Sequence, residues 1–100
     1  MPRLIYAPAA LDDLESIQRY LSQPGAGARA GRRWAAIRNA LSALKTEPTL
    51  WAVGDHPGVR ERPVEGHRIM YEIRGTRGDV VILRVYGPRQ DRRGFAPEPV

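Results

Sequence analysis

The spacing of apolar residues in the first half of the chain is typical of a short strand followed by two helices. Residues 3–6 begin with Arg3 and continue with three apolar, β-prone residues, which predicts a strand. Leucine and isoleucine then recur at helical spacing over residues 9–21, with Asp12 and Asp13 in the early turns, where carboxylates suit the helix dipole. A second apolar series predicts a helix over residues 28–45. Because a short Pro/Gly segment separates them, we expect the two helices to form an antiparallel hairpin.

The apolar period changes from helical spacing to two in the second half of the chain. Residues 46–58 follow neither period and contain prolines and glycines, which predicts a loop. Residues 59–63, 67–73 and 80–86 each read as a strand, the last apolar on both faces as expected of a central strand. The order predicts an α+β domain: an N-terminal strand, then a helical hairpin packed on one face of a mainly antiparallel sheet.

Composition limits the classes of protein that this sequence can encode. One hundred residues form a single domain, which we assign to residues 1–95, with residues 96–100 as a frayed tail. The absence of cysteine excludes disulfides and thiolate chemistry, and His56 and His67 alone make a transition-metal site unexpected. We therefore expect neither metal nor cofactor. No apolar run is long enough for a membrane span or a signal peptide, so a cytoplasmic protein is expected.

Charge is the strongest compositional signal. Sixteen basic and eleven acidic residues give a net charge of +5, and Lys45 is the one cation that is not arginine. Arginine is suited to phosphate and carboxylate, so a nucleic acid or an acidic protein is the expected partner, although codon bias in a GC-rich genome would also raise the arginine content. The second helix carries a row of cations that reads better as a solvated surface than as a binding stripe: Arg29, Arg32, Arg33, Arg38 and Lys45.

Arginines also cluster where the last strand ends. We expect one group to meet on the sheet face that the helices leave bare, forming a surface that binds phosphate or a target: Arg62, Arg68, Arg84, Arg89, Arg92 and Arg93. The alternative is a scatter of exposed arginines paired with nearby glutamates.

Cleavage of RNA by its own 2′-hydroxyl requires a proton acceptor, stabilisation of the phosphorane and a proton donor. Arginine supplies only the second, because it does not deprotonate in proteins. His56 lies in the loop segment Asp55-His56-Pro57 and is the candidate base, whereas His67 starts a strand and reads as a sheet-edge residue. A solvated loop histidine remains the alternative for His56.

Four segments form a recognisable pattern through their order and spacing. They are residues 10–17 (ALDDLESI), Gly58-Val59-Arg60-Glu61, residues 68–73 (RIMYEI) and residues 81–91 (VILRVYGPRQD). Together they resemble the RelE/ParE superfamily of type II toxins, over about residues 3–93. The resemblance implies a small toxin with the strand, helical hairpin and sheet predicted above, and a cognate acidic antitoxin that forms a hetero-oligomer with it.

The resemblance implies two possible activities. RelE-like members cut messenger RNA on the ribosome, and Arg68 and Arg89 match two phosphate-stabilising arginines of that branch, with His56 resembling a loop histidine of some nucleases. Phe95 falls where that branch usually has a tyrosine, and it has no hydroxyl. The stretch at residues 84–91 looks more like the ParE branch, which poisons DNA gyrase and is not an enzyme. We therefore expect a ParE-like toxin, with a RelE-like endoribonuclease and an inactive toxin or basic binding module as alternatives.

Overall fold

Six elements follow one another in the order that the sequence predicts. The computed structural model describes residues 2–88, 90 and 95. The elements are β1 (Leu4–Tyr6), α1 (Pro8–Leu21), α2 (Gly27–Thr46), β2 (Arg60–Val64), β3 (His67–Arg74) and β4 (Asp79–Tyr86). Pro8 opens α1, where its missing N–H is not needed, so the first turn of that helix contains no acidic residue. Asp12 and Asp13 lie in the second turn of α1.

The four strands form one sheet in the order β1-β4-β3-β2. β1 pairs with β4 in parallel, and the other two pairings are antiparallel. β2 lies at one edge, where Pro63 is tolerated because an edge strand needs fewer backbone donors. The turn into β3 is Glu65-Gly66, with φ of 49° and 77°, the paired positive values of a tight two-residue hairpin. The predicted α+β architecture is confirmed.

The helical hairpin covers one face of the sheet and forms the main core with it. Tyr71 is fully buried there, and its hydroxyl donates a hydrogen bond of 2.6 Å to the carbonyl oxygen of Pro48. Burial raises the pKa of Tyr71 because the phenolate would lose its hydration. Trp51 packs against this core from the loop before β2. The buried residues of the core are Ala10, Leu21, Ile37, Ala40, Leu41, Leu44, Ile69, Tyr71, Val80, Ile82 and Val85.

The opposite face of the sheet carries a second apolar cluster. Its members are Val59, Met70, Val81, Leu83, Tyr86 and Phe95, with Ile5 packed against them. Val59 and Phe95 reach this face from outside the strands and are almost completely buried on it. The prediction of a bare cationic face is therefore wrong at its centre. The residue composition explains this, because β4 is apolar on both faces and exposing it to water would be unfavourable.

An ion-paired corner joins the N-terminus to the start of β4. The carboxylate of Asp79 accepts a hydrogen bond of 2.8 Å from the backbone N–H of Arg3, and it lies within 3.5 Å of the guanidinium groups of Arg3 and Arg77. The Arg3 N–H, followed by the two positive charges, holds the pKa of Asp79 below its usual value.

Among the described helices, neither is long and apolar enough to cross a membrane.

Candidate functional site

Strand register brings Arg68 and Arg84 to the same face of the sheet. Arg68 pairs with Tyr86, and Met70 pairs with Arg84. Alternation along each strand then places all four side chains on the face opposite the helices. This part of the predicted convergence is observed, and the surface around these residues is the candidate functional site.

A β-bulge directs Arg84 towards this face. Met70 pairs with Arg84 while its neighbour Tyr71 pairs with Ile82, so Leu83 is the extra residue in β4. A bulge of this kind re-aims the side chains beside it. As a result, Ile82 and Val85 both lie in the helix-side core although they are three positions apart, where plain alternation would put them on opposite faces.

Arg84 is held by an aspartate from the first helix. Its Nε and Nη2 donate hydrogen bonds of 2.7 and 2.9 Å to the two carboxylate oxygens of Asp13. Asp13 also accepts a hydrogen bond of 2.8 Å from the backbone N–H of Val85. The guanidinium lies over the ring of Tyr86 at 4.6 Å from its centroid. Because its N–H groups already donate to Asp13, we expect Arg84 to stabilise the fold and not to bind phosphate.

Arg68 is less tightly held than Arg84. Its Nη1 lies 3.4 Å from Oε1 of Glu61, and about a third of the Arg68 side chain is exposed. The other carboxylate oxygen of Glu61 accepts a hydrogen bond of 3.3 Å from the backbone N–H of Asp55. A Cβ atom at position 54 would overlap that carboxylate, so Gly54 allows the loop to approach β2. The guanidinium of Arg68 thus remains partly open to a ligand.

His56 packs into an aromatic group on the same face. Its ring meets Phe95 edge-on at a centroid distance of 4.8 Å, and Phe95 meets Tyr86 edge-on at 6.3 Å. The Nδ1 atom of His56 is buried without a hydrogen-bond partner among the described residues. His56 is therefore neither the fully solvated loop residue of the alternative interpretation nor a base with an orienting partner.

Arg62 does not join this group. It pairs with Ile69 of the helix-side core, and its guanidinium lies 4.4 Å from the ring centroid of Trp51. The expectation that Arg62 converges with Arg68 is wrong. Glu61 lies on the same face as Arg68, and Arg62, its neighbour on β2, points to the opposite face.

His67 is buried at the start of β3, where Nδ1 lies 3.0 Å from the carbonyl oxygen of Glu65.

Three predicted site arginines lie outside the described residues. They are Arg89, Arg92 and Arg93, and the expected frayed tail at residues 96–100 lies outside them as well. The site as described therefore consists of residues from β2, β3, β4 and the loop before β2, together with Asp13 of α1 and Phe95. In the same part of the chain, no group of three or more His, Asp or Glu residues is arranged to hold a metal ion.

The match to a protein-family model identifies the class of protein. A model described as "ParE toxin of type II toxin-antitoxin system, parDE" matches residues 4–92. The chain belongs to this ParE toxin family. The superfamily resemblance drawn from the sequence is confirmed, and the protein is a type II toxin.

Solved structures show that this ParE toxin shares its fold with several toxins. It is 21% identical to a chain of the chromosomal ParDE TA system from P. aeruginosa, with a TM-score of 0.70 over 87% of this chain and 96% of that chain. It is 23% identical to a chain of the toxin-antitoxin complex RelBE2 from Mycobacterium tuberculosis, with a TM-score of 0.63 over 87% and 99%. The YoeB/ParE toxin from Agrobacterium tumefaciens is 20% identical, with a TM-score of 0.64 over 85% and 96%. A search of curated proteins finds no significant match.

Sequence reasoning missed two contributors to the site of this ParE toxin. The sequence places Asp13 where a carboxylate suits the helix dipole, and it does not link Glu61 to Arg68. No local pattern reveals that Asp13 binds Arg84, which is 71 residues away along the chain. The pairing of Glu61 with Arg68 has a signal in principle, since the Glu65-Gly66 turn sets the register that places them on one face.

Proposed function

We propose that this ParE toxin arrests growth by poisoning DNA gyrase and does not cut RNA. The observation that carries the proposal is the packing of Phe95 against His56. A nuclease site would need a second proton-transfer group beside that histidine, and the group found there is an apolar ring. The family match over residues 4–92 supports the same branch.

The remaining chemistry of the candidate site agrees with a binding protein. Arg68 can stabilise negative charge but cannot accept a proton. Tyr86 has a hydroxyl, but that oxygen lies 3.3 Å from Nη1 of Arg84, which donates to it. Arg68 is about one third exposed beside the buried apolar cluster of this face, so it offers a positive charge to a protein partner.

We further propose that an acidic antitoxin keeps the toxin inactive in the cytoplasm. The matched structures from P. aeruginosa and M. tuberculosis are described as a ParDE system and a RelBE2 complex, and the net charge of this chain is +5. An acidic segment that folds against the toxin would neutralise it by occlusion and charge pairing.

The test is a gyrase supercoiling assay with the full chain freed of antitoxin. We expect inhibition of supercoiling and accumulation of cleaved DNA, while translation of a reporter message continues. His56→Ala is the control variant, because it removes the candidate base and should leave gyrase poisoning unchanged.

A ribosome-dependent endoribonuclease is the second candidate, favoured by the partial exposure of Arg68 on the same face as His56. It predicts cleavage of ribosome-bound messenger RNA that Arg68→Ala, Arg89→Ala or His56→Ala abolishes. Such cleavage would overturn the gyrase proposal. Absence of both activities would instead indicate an inactive toxin or a basic binding module.

A further inference from the structure

One helix carries a positive charge as large as the net charge of the whole chain. α2 contains five cations and no acidic residue, so its formal charge of +5 equals the net charge of the protein. The cations are Arg29, Arg32, Arg33, Arg38 and Lys45. Self-repulsion of this kind is unfavourable within a helix, where arginines four residues apart, such as Arg29 and Arg33, repel one another.

None of these cations forms an ion pair with a carboxylate in the part of the chain that the structure describes. Arg29 and Arg32 are exposed, and Arg33 is partly exposed. Arg68 and Arg84 on the sheet have carboxylate partners, so they differ from the α2 cations in what they offer to another molecule. The cations of α2 can therefore bind an anionic partner.

The cations of α2 lie on two sides of its buried stripe. Three of them, Arg29, Arg32 and Arg33, fall within an arc of roughly 100° at 3.6 residues per turn. We call this set the α2 cationic flank. Arg38 and Lys45 lie on the other side, where Arg38 is 6.0 Å from the ring centroid of Trp34.

A cleft of about 380 Å³ adjoins the α2 cationic flank at the tip of the hairpin. Arg29 and Arg33 line it together with Tyr20, whose side chain is largely exposed. The remaining lining residues are Leu21, Gln23, Ala26 and Ala30. Guanidinium forks and a phenol hydroxyl are donors that proteins direct at phosphate oxygens.

We propose that the α2 cationic flank, with Tyr20, binds the phosphate backbone of duplex DNA. The inference rests on the proposed function, because a gyrase poison acts where the enzyme holds a DNA segment. Phosphate binding requires only charge and donors, and counterion release provides the affinity. A disordered acidic peptide would also need apolar burial to offset its ordering entropy, and the side chains between these arginines are alanine and glycine. The observations therefore favour DNA over an acidic peptide.

The experiment measures binding of the full-length toxin, without gyrase, to a fluorescein-labelled duplex by anisotropy over a series of salt concentrations. The test variant is Arg29→Ala/Arg32→Ala, which changes exposed residues only. The matched control is Arg38→Ala/Lys45→Ala, which removes the same charge from the same helix on its other side. We expect the test variant to bind about tenfold or more weakly at low salt and to lower the slope of log K against log salt by about 1.8, which is about 0.9 for each lost phosphate contact.

Three results would overturn the inference: no binding of the duplex, equal weakening by both double variants, or weakened binding of poly-glutamate but not of DNA by the test variant. A supercoiling assay with the same proteins separates this inference from the proposed function. Poisoning of gyrase without duplex binding refutes only the DNA contact. Duplex binding through the α2 cationic flank without any effect on gyrase refutes only the target.

Discussion

Arginines on the sheet and arginines on α2 have opposite surroundings in this ParE toxin. On the sheet, Arg84 and Arg68 bind the carboxylates of Asp13 and Glu61, and about a third of each arginine side chain is exposed. On α2, the described residues provide no carboxylate for any of the five cations. Clusters of like charge in a sequence therefore do not by themselves locate a binding surface. The positions of the acidic residues in the folded chain decide which cations remain available.

Replacement of Asp13 by alanine should cause the largest loss of stability among the changes considered. The carboxylate accepts two hydrogen bonds from Arg84 and one from the N–H of Val85. Arg84 can be partly rehydrated once its partner is removed, so we expect the free energy of unfolding to fall by about 2–3 kcal/mol, below the 3–5 kcal/mol of a fully buried pair. Urea denaturation followed by circular dichroism measures this.

The matched control is Glu15→Ala, on the same helix. Glu15 pairs with Arg19 at 2.6 Å, and both side chains are about two thirds exposed. An exposed pair four residues apart contributes about 0.3–0.5 kcal/mol. Equal losses for the two variants would show that the Asp13 pair does not hold α1 to β4.

A smaller, pH-dependent effect is expected at Asp79. Its pKa is lowered in the folded protein, first by the N–H of Arg3 and then by the charges of Arg77 and Arg3. The stabilisation is complete above the unfolded pKa of about 3.9 and is lost as the pH falls through the folded pKa. Asp79→Asn should therefore be less stable than the wild type at pH 7, with the difference disappearing as the pH approaches 2. A difference in unfolding free energy that stays constant with pH would contradict this account.

Changes on α2 should have the smallest effect on stability. We expect Arg32→Ala to alter the free energy of unfolding by no more than about 0.5 kcal/mol, as is usual at exposed positions without partners. Thermal unfolding of this variant and of Arg84→Ala, compared side by side, checks the expectation. Destabilisation by Arg32→Ala as large as that by Arg84→Ala would mean that the two sets of arginine do not differ in the way described.

The element order could be predicted from the sequence because each element carries its own complete pattern. The apolar period identifies both helices and the three later strands, and Pro8 and the Glu65-Gly66 turn mark boundaries through local backbone preferences. Sheet order and the parallel pairing of β1 with β4 are properties of the whole fold. The sequence predicts a mainly antiparallel sheet, but neither its strand order nor which pair of strands is parallel.

The candidate site was less predictable because it depends on strand phase and on long-range contacts. Arg68 and Arg84 share a face as expected, whereas Arg62 differs from its neighbour Glu61 by one position and points to the other face. The sequence shows that Phe95 lacks a hydroxyl, but it does not predict where the ring lies. The burial of Phe95 against His56 and Tyr86 is a long-range contact that no local spacing encodes.

The shortness of β1 has a consequence for aggregation. Pairing with β1 ends at Tyr6 and Ile82, so the outer edge of β4 continues past its neighbour over residues 83–86, of which all but Arg84 are apolar. An unpaired apolar edge can recruit a strand from another molecule. Asp13 occupies the N–H of Val85 on that edge, and a carboxylate there discourages intermolecular pairing. The same aspartate that joins helix to sheet thus acts as a gatekeeper against self-association, and its loss should increase light scattering at concentrations where the parent chain remains clear.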